Sequence, residues 1–158
     1  GPYSRRGLGA EDWEVWAAIE SLYDAGKTKM IGISNVTADQ LTSLCVKAKH
    51  KPMMVQNRCY AAFGWDKDVR EICRANQILY QGFSLLTANS GIFAEPDLRA
   101  MAAKYQTGLA QIVFRFSQQV GMLPLTGTTN PQHMKEDLQC ERFTLLPEEI
   151  AQIETIGL

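Results

Sequence analysis

In Met30-Ile31-Gly32-Ile33-Ser34-Asn35-Val36-Thr37-Ala38-Asp39-Gln40-Leu41 an apolar run gives way to an amphipathic one. Met30 to Ile33 is short and continuously apolar, as a strand buried on both faces requires. Thr37 and Gln40 have the spacing of a helix capping box. Leu41, Leu44, Cys45 and Ala48 then fall on one face of the helix it opens. Pro52 ends that helix, and Met53-Met54-Val55-Gln56 starts a second buried strand.

The alternation continues in both directions. Upstream, Glu11 to Ala25 reads as a helix, with Val15, Ile19 and Leu22 at helical spacing beside Trp16 and Tyr23, and Gly26 stops it. Downstream, a loop around Phe63-Gly64-Trp65 leads to a helix from about Asp66 to Asn76, with Val69, Ile72 and Cys73 inward. Ile78 to Phe83 reads as a third strand. A longer loop, Thr87 to Glu95, precedes a helix with Pro96 in its first turn; that loop either closes over a ligand or runs along the surface. Leu98, Met101, Ala102 and Tyr105 form the stripe of this helix, and Leu109, Ile112, Val113 and Phe116 that of the next. Met122 to Thr126 is a fourth apolar strand, followed by a helix through about Gln139. A last helix follows Pro147, with Ile150 and Ile153 inward. Four short strands, each followed by a helix, predict an α/β fold with a parallel sheet.

The chain has 158 residues and a formal charge of -1, from 16 Lys+Arg and 17 Asp+Glu; 46% are hydrophobic and 21% charged. That length suits one well-cored domain. The balanced charge argues against nucleic acid as a partner, and no apolar run of about 18 residues predicts a membrane span. Residues 1–10 read as a tag remnant or flexible leader, and residues 11–158 as the folded domain. Cys45, Cys59, Cys73 and Cys140 show no paired spacing, and Cys45 and Cys73 lie on apolar stripes; free thiols in a reducing, cytoplasmic setting are expected. His50 and His133 stand apart from the cysteines, so no zinc site is expected.

Ile31-Gly32-Ile33-Ser34-Asn35, Val55-Gln56, Gly82-Phe83-Ser84-Leu85-Leu86 and Leu125-Thr126-Gly127-Thr128-Thr129-Asn130-Pro131, together with the helix Trp16-Ala17-Ala18-Ile19-Glu20-Ser21-Leu22 and Gly26-Lys27, resemble successive motifs of the aldo-keto reductases. The resemblance runs from about residue 11 to 157, in the family's order. It implies strands five to eight of a TIM barrel, that is, a parallel four-stranded half-barrel with flanking helices, since a whole barrel needs eight strand-helix units.

It also implies site residues. Ser34, Asn35 and Gln56 match the groups that hydrogen-bond the nicotinamide carboxamide of NADP. Phe83 stands where a Tyr usually stacks on the nicotinamide ring, and an aromatic face suffices for stacking. Ser84 and Leu86 match positions along the pyrophosphate path. Thr128 matches a hydroxyl residue near the adenosine 2′-phosphate, next to a helix start that offers amides to an anion. Gly127 replaces a frequent phosphate-binding Lys, His133 an Arg, and Asp137 an Asn, so the resemblance leaves both NAD and NADP open, with binding weak or residual. Thr129-Asn130-Pro131 also reads as a plain helix cap.

The family's catalytic Asp, Tyr, Lys and His come from strands matched by nothing in this sequence. The expectation is therefore a cofactor-binding half, inactive alone, with no catalytic residue of its own. The alternative is a non-catalytic module that mediates protein-protein contacts or oligomerisation. Two open strand edges predict a homodimer or a partner domain that covers them.

Overall fold

The computed structural model describes residues 6–158; Gly1 to Arg5 of the expected leader lie outside them. Four strands form one parallel sheet in the order β1-β2-β3-β4, with β1 Gly32–Ser34, β2 Met54–Arg58, β3 Leu79–Phe83 and β4 Met122–Pro124. The helices are α1 Ala10–Asp24, α2 Ala38–Lys47, α3 Lys67–Ala75, α4 Pro96–Lys104, α5 Leu109–Gln119, α6 Pro131–Asp137 and α7 Pro147–Thr155. Each strand is followed by a helix, as the alternation predicts. The described residues pack as two compact units, residues 6–57 with 67–81 and residues 58–66 with 82–158.

In the first unit, β1 and β2 pair in parallel, Gly32 opposite Met54 and Ser34 opposite Gln56. Gly32 permits the close approach, because a Cβ there would stand 2.6 Å from the Met54 carbonyl oxygen. Trp16, Ile31 and Leu44 form a buried cluster, against which Leu8, Trp13, Ile19 and Tyr23 pack. Leu8 belongs to the expected leader, as does Arg6, whose guanidinium pairs with Asp12 at 3.1 Å. The apolar spacing of Val15 and Leu22 does not mark the buried face of α1: they are 60% and 53% exposed, while Trp16 is buried. Trp16 carries far more apolar area than either, so it decides which way the helix turns.

The capping box of α2 forms as the spacing requires. The Gln40 N–H donates to the Thr37 hydroxyl at 3.2 Å, and the Thr37 N–H donates to the Gln40 side-chain oxygen at 2.9 Å. The buried Glu20 carboxylate accepts from the Trp16 indole at 3.0 Å and from the His50 N–H at 2.8 Å. It thereby pins the connection ahead of β2 onto α1.

The second unit is centred on α5, which buries Ile112, Val113, Phe114 and Phe116. Trp65 stacks obliquely on Phe116 at 5.2 Å, and its indole donates to the Ile153 carbonyl oxygen at 2.7 Å. Trp65 lies within a 3-10 segment, Ala61–Asp66, and has a left-handed backbone with φ 55°. Glu149 at the start of α7 accepts from Lys104 at 2.7 Å, from the Tyr105 hydroxyl at 2.6 Å and from the Leu146 N–H at 2.8 Å. The segment from Thr87 to Glu95 is ordered by a 3-10 turn, Ser90–Ala94, and by the buried Asn89. Strand β4 is shorter than the apolar run that predicts it, and α6 ends at Asp137 rather than near Gln139. All four cysteines are free thiols; Cys59, Cys73 and Cys140 are buried and Cys45 is half-buried.

Candidate nucleotide site at the strand ends

In the first unit three of the expected residues come together. Parallel pairing sets Ser34 opposite Gln56, and strand alternation puts Val55 and Asn57 on the buried side of β2 with Gln56 on the other. The Gln56 carbonyl oxygen accepts from the Ser34 hydroxyl at 2.7 Å and from the Asn35 N–H at 3.0 Å. The Asn35 side-chain amide donates to the Ser34 hydroxyl at 3.1 Å, and the Gln56 side-chain amide donates to Gln81. The Asn35 and Gln56 side-chain oxygens accept no bond among the described residues. Each of these two amides therefore keeps an acceptor and one N–H available. Ser34 and Gln56 border a groove of about 280 Å³ with Met30, Ile33 and Met54.

In the second unit Phe83, Ser84 and Leu86 line a cavity of about 480 Å³ with Phe114, Thr126 and Gly127. The Ser84 hydroxyl makes no hydrogen bond among the described residues. The guanidinium carbon of Arg58 lies 5.5 Å from the centre of the Phe83 ring. That is a cation–π distance, and it occupies one face of the ring.

Thr128, His133 and Asp137 do not line this cavity. The Thr128 hydroxyl oxygen accepts from the Asn130 N–H at 3.1 Å, and the Asn130 side chain caps α6 by accepting from the Gln132 N–H at 2.9 Å. Locally this is the helix cap that Thr129-Asn130-Pro131 spells. His133 is exposed, and Asp137 accepts from the Gln111 side chain at 3.2 Å.

Three neighbours escape a reading of the sequence. Asn57 and Asn89 are buried and hold main chain at the strand ends; Arg58 sits on Phe83. A polar residue on the buried side of β2 was the available signal for Asn57, and the charge at the end of β2 was the signal for Arg58. Nothing local marks Asn89, because its partners lie in other segments.

The sequence pattern of the aldo/keto reductase family matches residues 10–157. The chain belongs to the aldo/keto reductase family. It is 32% identical over 155 residues to Aldo-keto reductase family 1 member D1 of Oryctolagus cuniculus, covering 90% of this chain and 47% of that protein. It is 30% identical over 146 residues to the 9,11-endoperoxide prostaglandin H2 reductase of Trypanosoma cruzi (strain CL Brener), covering 91% of this chain and 51% of that one. The fold of this aldo/keto reductase segment matches an aldo-keto reductase enzyme from a Medee basin deep-sea metagenome library with a TM-score of 0.85 at 22% identity, over 99% of this chain and 58% of that one. The chain spans about half the length of the curated relatives it matches. Together these matches establish the half-barrel reading of the sheet and its helices.

Proposed function

We propose that this aldo/keto reductase segment is the nucleotide-gripping half of an oxidoreductase that uses NADP(H) on carbonyl compounds. The observation that carries the reading is the pair of half-used amides, Asn35 and Gln56, aligned by Ser34 and Gln81. A primary carboxamide needs an acceptor for its N–H and a donor for its oxygen, and these side chains offer both. The residues thus fit the nicotinamide end of the cofactor.

When bound, the reduced cofactor supplies the hydride that turns a carbonyl into an alcohol. Asn35 and Gln56 hold its carboxamide, with Ser34 fixing the orientation of Asn35. In the second unit Phe83 stands at the position that the resemblance gives to the ring-stacking aromatic, with Arg58 over one of its faces. In the same unit the unengaged Ser84 hydroxyl stands at a position that the resemblance gives to the pyrophosphate path, beside the apolar Leu86 and Phe114. The adenosine end is less well provided: Gly127 brings no charge, and the Asp137 carboxylate works against a nearby phosphate. We assign no proton donor in these 158 residues, so the chain alone is expected not to turn over.

A second reading, a non-catalytic interaction module, is favoured by the 43% exposure of Leu123 and Leu125 in and beside the edge strand β4. Such a face suits a second copy of the chain or a partner domain. Free thiols suit a cytoplasmic setting, and among the described residues no helix is long and apolar enough to cross a membrane.

Titration with NADPH, followed by cofactor fluorescence, separates the readings. Affinity in the roughly micromolar range supports the cofactor half. Absence of binding at millimolar nucleotide supports the module. Oxidation of NADPH by a simple aldehyde, at the rate of an intact reductase, overturns the expectation of inactivity.

A further inference from the structure

Two residues that follow strand ends are held in the left-handed backbone region: Asn35 after β1, with φ 58°, and Ser84 after β3, with φ 56°. That region is uncommon for a residue with a Cβ, although Asn reaches it more readily than Ser. In each unit a buried asparagine grips the next residue along. Asn57 accepts from the Val36 N–H at 3.0 Å and donates to the Val36 carbonyl oxygen at 2.8 Å. Asn89 donates to the carbonyl oxygens of Leu85 and Cys59, each at 2.9 Å, and accepts from the Ala61 N–H at 2.7 Å.

Both amides are costly to bury, and their hydrogen bonds to main chain offset that cost. The alternation of β2 keeps Asn57 away from the side on which Gln56 lies. Asn57 therefore acts through the main chain of Val36 rather than on a ligand.

We propose that Asn57 is a positioning residue. By bracketing Val36 it holds Asn35 in its left-handed turn, with the Asn35 side chain on the Ser34 hydroxyl and the Asn35 N–H on the Gln56 carbonyl oxygen. Asn89 holds the residue after Ser84 by one bond only, to the Leu85 carbonyl oxygen, and ties it to Cys59 and Ala61. This inference rests on the nucleotide-gripping reading given above for what the positioned groups bind, and on the hydrogen bonds alone for the clamp.

The test is Asn57→Leu in the full 158-residue chain, read in two ways. Binding is compared for NADP+ and for 2′,5′-ADP, which has no nicotinamide. Amide hydrogen exchange is followed at Val36 and, as a control, at Leu41 and Leu44 in α2. The proposal expects NADP+ affinity to fall about tenfold, the equivalent of one lost hydrogen bond, with 2′,5′-ADP affinity unchanged. It expects exchange at Val36 to accelerate while α2 stays protected. A merely structural role predicts equal losses for the two nucleotides, or none, and either result overturns the proposal.

Should the unmodified chain bind neither nucleotide, the nucleotide-gripping reading fails. Exchange then decides the clamp: acceleration confined to Val36 sustains it, and unchanged rates overturn it. If Asn57→Leu unfolds the chain, Asn57→Ser is put through the same comparison, with the same outcomes required.

Discussion

The Ser34 hydroxyl donates to the Gln56 carbonyl oxygen at 2.7 Å, while its own oxygen accepts from the Asn35 side-chain amide at 3.1 Å. One hydroxyl thus ties β1 to β2 and aims the neighbouring amide. Its proton is committed to main chain, so Ser34 orients rather than donates. Ser34→Ala removes the brace from an exposed position. NADPH affinity is expected to fall roughly three- to tenfold, with a melting temperature within about 2 °C of the parent. Titration and thermal melting check both halves of the statement.

Gly127 is open to improvement. A Cβ built there meets nothing within 4 Å, and the backbone lies outside the left-handed region. Gly127→Lys places a cation at the edge of the cavity that Ser84 and Leu86 line. Charge-assisted bonds to a phosphate contribute about 1.5–3 kcal/mol, so NADPH is expected to bind about tenfold tighter. The gain is expected to shrink as salt rises, and titration at two ionic strengths reads it.

Glu149 makes stability depend on pH. Burial pushes its carboxyl up, but Lys104, the Tyr105 hydroxyl and the Leu146 N–H together outweigh burial and hold it below its ordinary value. A carboxyl lowered in the folded state stabilises fully above its unfolded pKa, and that contribution disappears as pH falls through the folded value. The melting temperature is therefore expected to drop on acidification from about pH 6 to below about pH 4. Glu149→Gln, melted across the same range, is expected to show a shallower slope.

The indole of Trp65 satisfies a carbonyl of α7. Trp65→Phe keeps most of the ring packing against Phe116 and leaves the Ile153 carbonyl oxygen with only the Ile156 N–H, at 3.2 Å. Losing one of two hydrogen bonds to that oxygen costs about 0.5–1.5 kcal/mol. Urea unfolding is expected to show a loss of that size with an unchanged m-value.

Leu125 tests the interaction face. If this face is covered by a second copy, Leu125→Asp is expected to shift sedimentation from dimer to monomer, because a charge inside an apolar contact is costly to desolvate. A parent chain that is monomeric at high concentration counts against a self-association face.

Much of this protein is legible in local pattern. The Thr37 and Gln40 capping box forms as spelled, because each partner lies within one turn of the other. The strand at Ile33 and Ser34 shows in the apolar run before it, and parallel pairing of β1 with β2 sets Ser34 opposite Gln56. Val15 and Leu22 mislead, since helical spacing says that residues share a face and not which face is buried. That choice falls to Trp16, whose large apolar area finds Ile31 and Leu44.

Thr128, His133 and Asp137 are expected near the nucleotide from the resemblance, yet a resemblance says nothing of hydrogen bonds. In space Thr128 serves the turn before α6 and Asp137 meets Gln111 of α5. Periodicity, caps and strand-end motifs are local properties of the chain, and they settle the order of elements, the half-barrel and the family. The roles of Asn57, Asn89, Arg58 and Glu149 are relations between distant segments. A buried amide or carboxylate acquires its meaning from the partners that folding brings to it, and no local run of residues encodes them.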